Sequence, residues 1–224
     1  MNRPTFADSL AAYQAAFAAT WPDDAAPEDV RLVALDCETS GLDPQRHRIV
    51  SIGAVGIVQG EIDLGDTFEV LLRVHFNTAA TLVHGITRDQ ARAGLEESEA
   101  VARLLDFLGD GVVVGHHVGH DLAMLNAALG RHGGSTLRNK HIDTGELTLL
   151  LQADGALDGQ PPLAELSLDA LCGHFRIDPH GRHTASGDAF LTALVCLRLL
   201  RLGRRHGRRT LAALTERPVD PGAN

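Results

Sequence analysis

Apolar positions along the chain change period more than once, and the changes divide it into segments. Phe6, Leu10, Tyr13, Phe17 and Trp21 recur every three or four residues, which predicts an amphipathic helix over residues 6–21. Its aromatic stripe has two readings: packing on its own domain, or docking of a protein partner or a second copy through the N-terminal helix. Pro22 and Pro27, with acidic residues between them, end the helix in a short linker. Val30–Asp36 (VRLVALD) is an apolar run that predicts a buried strand, and Arg48–Val58 (RIVSIGAVGIV) predicts a second. Gln59-Gly60 reads as a turn and Thr67–Val74 as a further strand. Strands in close succession predict an antiparallel meander.

The period then lengthens. Glu97–Leu108 carries helical periodicity, Gly111–Gly115 (GVVVG) is a short buried strand, and Leu122–Leu129 is a helix that Gly130, Gly133 and Gly134 stop. His141–Thr144 (HIDT) reads as another short strand. Leu166–Phe175 and Ala189–Arg201 are apolar-periodic helices, and residues 152–162 read as an exposed loop. Strands first, then strands alternating with helices, predict an α/β domain: a mixed sheet, antiparallel meander plus parallel strands, flanked by helices. The expected organisation is an N-terminal helix and linker (1–29), one central domain (30–205) and a basic, flexible C-terminal tail (206–224), disordered from about Glu216.

Composition narrows the class. At 224 residues the chain suits one domain with a full core, and with 44% hydrophobic but only 4% aromatic residues that core is aliphatic. Cys37, Cys172 and Cys196 are odd in number and lack metal-type spacing, so they read as reduced core thiols of a cytoplasmic protein. No apolar run is long enough to span a membrane, and no signal-peptide pattern opens the chain. A net charge of −9 counts against tight, extended duplex binding. It leaves room for an enzyme that grips a few nucleotides and carries divalent cations. Arg198, Arg201, Arg204, Arg205, Arg208 and Arg209 form a late basic run, either a solvated helix face or a phosphate-facing patch.

Candidate chemistry lies in the acids. Asp36 and Glu38 end the first predicted strand two positions apart, so strand alternation puts both on one face, with Cys37 opposite. Two such carboxylates repel unless a cation lies between them, and no Lys or Arg is close in sequence. All-oxygen ligation favours Mg²⁺ or Mn²⁺. Asp121 follows a glycine- and histidine-rich segment and opens a helix. Asp188 falls in the first turn of the last long helix, with Ser186 as its expected N-cap. Each acid alone has an ordinary explanation in helix-dipole complementarity or surface exposure. His183 precedes Asp188 by five residues, in a loop that lets it reach over the site.

Taken in order, these residues resemble the three motifs of the DnaQ-like (DEDDh) exonuclease family. DCETSGL (36–42) is similar to the first motif, VGHHVGHDLAML (114–125) to the second, and RHTASGDA (182–189) to the third; HGIT (84–87) resembles a stretch common in bacterial members. The resemblance covers about residues 30–203. It departs at His117, where the family has Asn, at His120, where it has an aromatic residue, and at Ser40, where it has Thr. The ligand set is intact, but the changes at 117 and 120 bear on how a substrate strand is held. A histidine metal cluster of His116, His117 and His120 is the alternative for that segment.

The resemblance implies a ribonuclease H-like fold and metal-dependent 3′→5′ exonuclease activity on single-stranded 3′ ends, with release of nucleoside monophosphates. It implies that Asp36, Glu38, Asp121 and Asp188 hold two Mg²⁺ or Mn²⁺ ions and that His183 is the general base. It further implies that backbone groups around Thr39 and Gly41 hold the terminal nucleotide, that Leu42 wedges against the terminal bases and that His84 lines the pocket. DNA is the expected substrate, in proofreading or repair. Processing of short RNA is the alternative, and a catalytically silent nucleic-acid-binding module is the reading outside enzymes. No clamp-binding peptide of the form Q-x-x-L/M-x-F is evident, which favours repair or RNA processing over a replicase subunit.

Overall fold

The computed structural model describes residues 4–17, 21, 23–74, 88–158, 163 and 165–215. Five strands form one sheet: β1 (Leu32–Thr39), β2 (Ile49–Val58), β3 (Glu61–Leu71), β4 (Val112–Gly115) and β5 (His141–Asp143), in the order β3-β2-β1-β4-β5. β1 pairs antiparallel with β2 and parallel with β4; β2–β3 is antiparallel and β4–β5 parallel. This is the expected mixed sheet. Gln59 and Gly60 both take positive φ, 53° and 77°, the twist a two-residue hairpin between β2 and β3 requires. β3 begins and ends earlier than the alternation in Thr67–Val74 predicts, because the hairpin starts its pairing at Glu61.

Helices cover both faces of the sheet. They are α1 (Phe6–Ala16), α2 (Arg88–Ala93), α3 (Glu97–Leu108), α4 (Gly119–Arg131), α5 (Thr144–Ala153), α6 (Leu168–Phe175), α7 (Ala185–Arg205) and α8 (Leu211–Thr215). Strand alternation splits the core in two. Leu32 and Ala34 of β1 join Leu191, Val195 and Leu199 of α7, with α5, α6 and α8, on one face. Val33, Leu35 and Cys37 join Leu104 and Leu108 of α3 and Met124 and Leu125 of α4 on the other. Because β1 is covered on both sides, it reads as a continuous apolar run. The three cysteines are buried and free.

The N-terminal helix packs on its own domain. Thr5 and Asp8 form a capping box at its start. Tyr13 and Phe17 are buried against the α3–α4 face. The Tyr13 hydroxyl donates to Asn139 Oδ1 at 2.6 Å and accepts the Arg138 N–H at 2.7 Å.

Several boundaries differ from the sequence expectation. α4 runs past Gly130 to Arg131, since glycine inside a helix costs only about 1 kcal/mol and packing outweighs it. α5 was not expected. Its Gly145 and two threonines mask the Leu147-Leu150-Leu151 stripe, although Asp143 followed by Glu146 is an N-terminal signature. Ala156 and Leu157, inside the expected exposed loop, are buried in the α7-side core. Residues placed in the tail are also docked: Leu211 and Leu214 are buried, and Leu211 N–H donates to Ala25 O. Arg204 pairs with Glu28, and Arg208 with Asp154, so two members of the basic run are neutralised. Among the described residues, no helix is long and apolar enough to cross a membrane.

Candidate active site

The acids gather where β1 meets the starts of two helices. Asp36 and Glu38 continue the face begun by Leu32 and Ala34, which points them toward α7. The ladder to β2 shifts register between Glu38 and Thr39, ending regular pairing just past the second acid. Gly53 of β2 is the register partner of Asp36. A Cβ built at Gly53 would fall 2.3 Å from the Ala185 carbonyl carbon, so only glycine lets the N-terminus of α7 rest on the sheet here. That contact brings Asp188, in the first turn of α7, over Asp36.

Oxygens of Asp36, Glu38 and Asp188 lie within 4.8 Å of one another, and among the described residues this is the one grouping of metal-ligating side chains. Asp121 stands beside it, in the first turn of α4, and its Oδ1 accepts the Cys37 N–H at 3.1 Å. The histidines of the second motif do not converge as a ligand set. His116 Nδ1 is 2.8 Å from Thr144 Oγ1, and His120 Nε2 is 3.5 Å from Thr39 Oγ1. Burial, with His117 beside it, pulls His116 down to about 4, so it is neutral near pH 7.

Crowding shows in the proton affinities. Burial, then the charges of Asp121, Asp188 and Glu38, raise Asp36 to about 9. Burial raises Asp121 to about 8, partly offset by its hydrogen bond from Cys37. Like charges held this close in a dry site need a cation. Asp188 Oδ1 is buried without a well-directed hydrogen bond; Arg182 Nη1 lies 2.5 Å from it as an ion pair, off-line for hydrogen bonding. An all-carboxylate donor set fits a hard divalent cation.

The third-motif turn is tightly made. Thr184, and not Ser186, caps α7: its hydroxyl accepts the Gly187 N–H at 3.2 Å. Ser186 is already the second residue of the helix and instead donates to Glu69 Oε1 at 3.1 Å. His183 is exposed, takes φ 64°, and donates its backbone N–H to Asp188 Oδ2 at 3.3 Å. A non-glycine residue held in the left-handed region is strained, and such strain concentrates at functional sites.

A family model described as exonuclease (RNase_T) matches residues 33–196, a span that contains all five of these site residues. This chain belongs to that exonuclease family. Subunit epsilon of DNA polymerase III from Rickettsia prowazekii is 33% identical over 175 residues, covering 76% of this chain and 74% of the relative. A PolC-type DNA polymerase III from Thermotoga maritima is 30% identical over 187 residues, covering 83% of this chain but only 13% of that relative. Escherichia coli exonuclease I in complex with a dT13 oligonucleotide superposes with a TM-score of 0.68 at 20% identity, over 79% of this chain and 42% of that one. The exonuclease family signature and the ribonuclease H-like sheet thus coincide, as the DnaQ-like motifs imply. The family is one of 3′→5′ exonucleases, hydrolases of the phosphodiester bond.

Around the acids, Thr39 Oγ1 donates to Gly41 O at 3.0 Å, which folds the chain back after β1. The His47 ring occupies the space a side chain at Gly41 would need. Leu42, four residues past Glu38, is 81% exposed. His84 and the HGIT segment lie outside the described residues. Sequence reading missed Arg182, Asp169 and Asp143. Asp143 caps α5 through Gly145 N–H and Glu146 N–H, and its other oxygen accepts Val118 N–H at 2.8 Å, tying α5 to the start of α4. The D-x-x-E spacing was the available signal for Asp143; for the Arg182 pairings there was none.

Proposed function

We propose that this chain is a divalent-metal-dependent exonuclease that removes nucleoside monophosphates from single-stranded 3′ ends, with DNA as substrate. The single observation that carries this reading is the convergence of Asp36, Glu38 and Asp188 beside Asp121, on a fold and motif order shared with exonucleases. Asp36, Glu38, Asp121 and Asp188 would hold two Mg²⁺ or Mn²⁺ ions. Bound there, such ions lower the pKa of water and stabilise a leaving 3′-oxygen.

His183 takes the proton from the attacking water. It is exposed on the loop beside Asp188, and an imidazole can both accept and release a proton there. The backbone around Thr39 and Gly41 receives the terminal nucleotide, and Leu42 wedges against its base. DNA is favoured because the epsilon and PolC relatives are named as DNA polymerase III components and exonuclease I is bound to dT13.

The test is Mg²⁺- or Mn²⁺-dependent release of mononucleotide from labelled single strands of DNA and of RNA. DNA turnover that vanishes with EDTA is expected. Preference for RNA would redirect the substrate assignment, and no turnover of either with metal bound would refute the activity.

A further inference from the structure

Arg182 immediately precedes His183, and its guanidinium is shared between two carboxylates. Nε and Nη2 form a fork on Asp169, in the first turn of α6, at 2.7 and 3.1 Å. Nη1 reaches Asp188 Oδ1 at 2.5 Å. The Arg182 side chain is only 19% exposed, so these contacts are partly shielded from water. His183 then donates its backbone N–H to Asp188 Oδ2. One two-residue segment therefore holds both oxygens of a proposed metal ligand, and the same segment carries the proposed base in a strained left-handed conformation.

The two contacts of Arg182 differ in kind. The Asp169 fork is a bidentate, planar match, which fixes geometry as well as charge. The Asp188 contact is close but poorly directed for hydrogen bonding. It supplies charge more than direction, and it uses an oxygen that a divalent ion would also seek. A guanidinium and a divalent ion repel when they share one carboxylate oxygen. The weaker, misdirected contact is the one that yields, while the Asp169 fork keeps the side chain in place.

We propose that Arg182 is a positioning residue that, clamped by Asp169, sets the His183 loop over the acid cluster and occupies Asp188 Oδ1 until a divalent cation takes that oxygen. This deepens the metal-site reading above and rests on it. In the ion-free protein Arg182 is an internal counter-charge for Asp188, and its charge also reaches Asp36. When the ion arrives, Nη1 withdraws and Nε and Nη2 stay on Asp169, so the loop does not move with the exchanged contact. Asp169, outside every motif, is thereby needed for the chemistry.

The experiment combines Mn²⁺ calorimetry on the full chain with kcat on a labelled single strand at saturating Mn²⁺. Arg182→Met should bind Mn²⁺ about tenfold more tightly, because a positive charge beside the ligand oxygen is gone. Its kcat should nonetheless fall about 100-fold, because the loop is no longer set. Arg182→Lys and Asp169→Asn both keep a cation at position 182 but lose the fork; their Mn²⁺ affinity should stay within about threefold of the parent while kcat falls about tenfold or more. Mn²⁺ binding by Arg182→Met no tighter than the parent, or an unchanged kcat in both Arg182→Met and Asp169→Asn, overturns the proposal. Should Arg182→Met fail to fold, NMR of the unaltered protein decides. Mg²⁺ titration should free the Arg182 Nη1 protons and leave the Nε and Nη2 protons protected; an unperturbed Nη1 signal at saturation overturns the exchange. Asp36→Asn is the control: Mn²⁺ binding that survives it unchanged refutes the metal site itself and not merely the role of Arg182.

Discussion

Gly53 faces Asp36 directly across the β1–β2 ladder, and the first residues of α7 rest on the space its missing side chain leaves. Gly53→Val should therefore lift the start of α7 and carry Asp188 away from Asp36. The obstacle is backbone, which cannot step aside as a side chain end would. Overpacking of this kind costs about 1–3 kcal/mol, and an ångström of misplacement costs about 100-fold in rate. Urea denaturation and single-strand turnover measure the two effects; full activity in Gly53→Val would contradict the account of how α7 is seated.

Asp36→Ala should abolish turnover to background, since it removes the acid that every other member of the cluster faces. His183→Ala should lower kcat by about 10²–10⁴, the range for a lost general base, with metal binding intact. Retained turnover in Asp36→Ala would refute the ligand assignment, and a metal-binding defect in His183→Ala would refute the base assignment.

Stability of the metal-free protein should fall with rising pH. Asp36 and Asp121 bind their protons far more tightly when folded, with pKa values of about 9 and about 8, than the ordinary 3.8 of the unfolded chain. Between about pH 4 and about pH 9 the folded state holds the extra protons, so the slope of stability against pH is negative. In EDTA, Tm should decline through that window, Asp36→Asn should flatten the decline, and saturating Mg²⁺ should remove most of it. A Tm that climbs from pH 5 to pH 8 in EDTA would show that the acids are not held against one another.

Tyr13→Phe should destabilise without touching catalysis. The hydroxyl satisfies Asn139 Oδ1 and the Arg138 N–H, and both lose that partner when it goes. The expected loss is about 1–3 kcal/mol in urea. Because α1 packs on the face of the sheet away from α7, kcat should be unchanged; a tenfold fall would show that α1 supports the site.

Asp143→Ala should affect both stability and turnover. One carboxylate caps α5 and also holds Val118, the residue before α4, whose first turn presents Asp121. Cap loss costs about 0.5–2 kcal/mol, and kcat should fall with it as Asp121 shifts. Asp143→Asn, which keeps an acceptor oxygen, should recover most of the stability, as thermal melts would show.

Different parts of the molecule were legible to different degrees. The pairing of Asp36 with Glu38 was readable because strand alternation is a local rule, and the apolar run before them marked a strand covered on both faces. α3 was readable to the residue because its apolar face repeats without interruption. α5 escaped because Gly145 and the threonines dilute its periodicity, and α8 because five residues give too short a window. The fate of the N-terminal aromatic stripe was open, since an amphipathic face shows that it is covered and not by what. Ser186 was a plausible cap by type, yet Thr184 is the residue with the extended backbone that a cap needs.

By itself the sequence determined the order of the chemistry: which acids exist, which two share a strand face, and which histidine sits on the loop before the last. These follow from local periodicity and motif spacing, which need no knowledge of what packs on what. The convergence of Asp188 with Asp36 and Glu38, the seat that Gly53 provides, and the sharing of Arg182 between Asp169 and Asp188 were decided only by the tertiary structure. Each joins segments whose approach is set by the packing of α7 and α6 around β1 and β2, and such contacts leave no period in the chain.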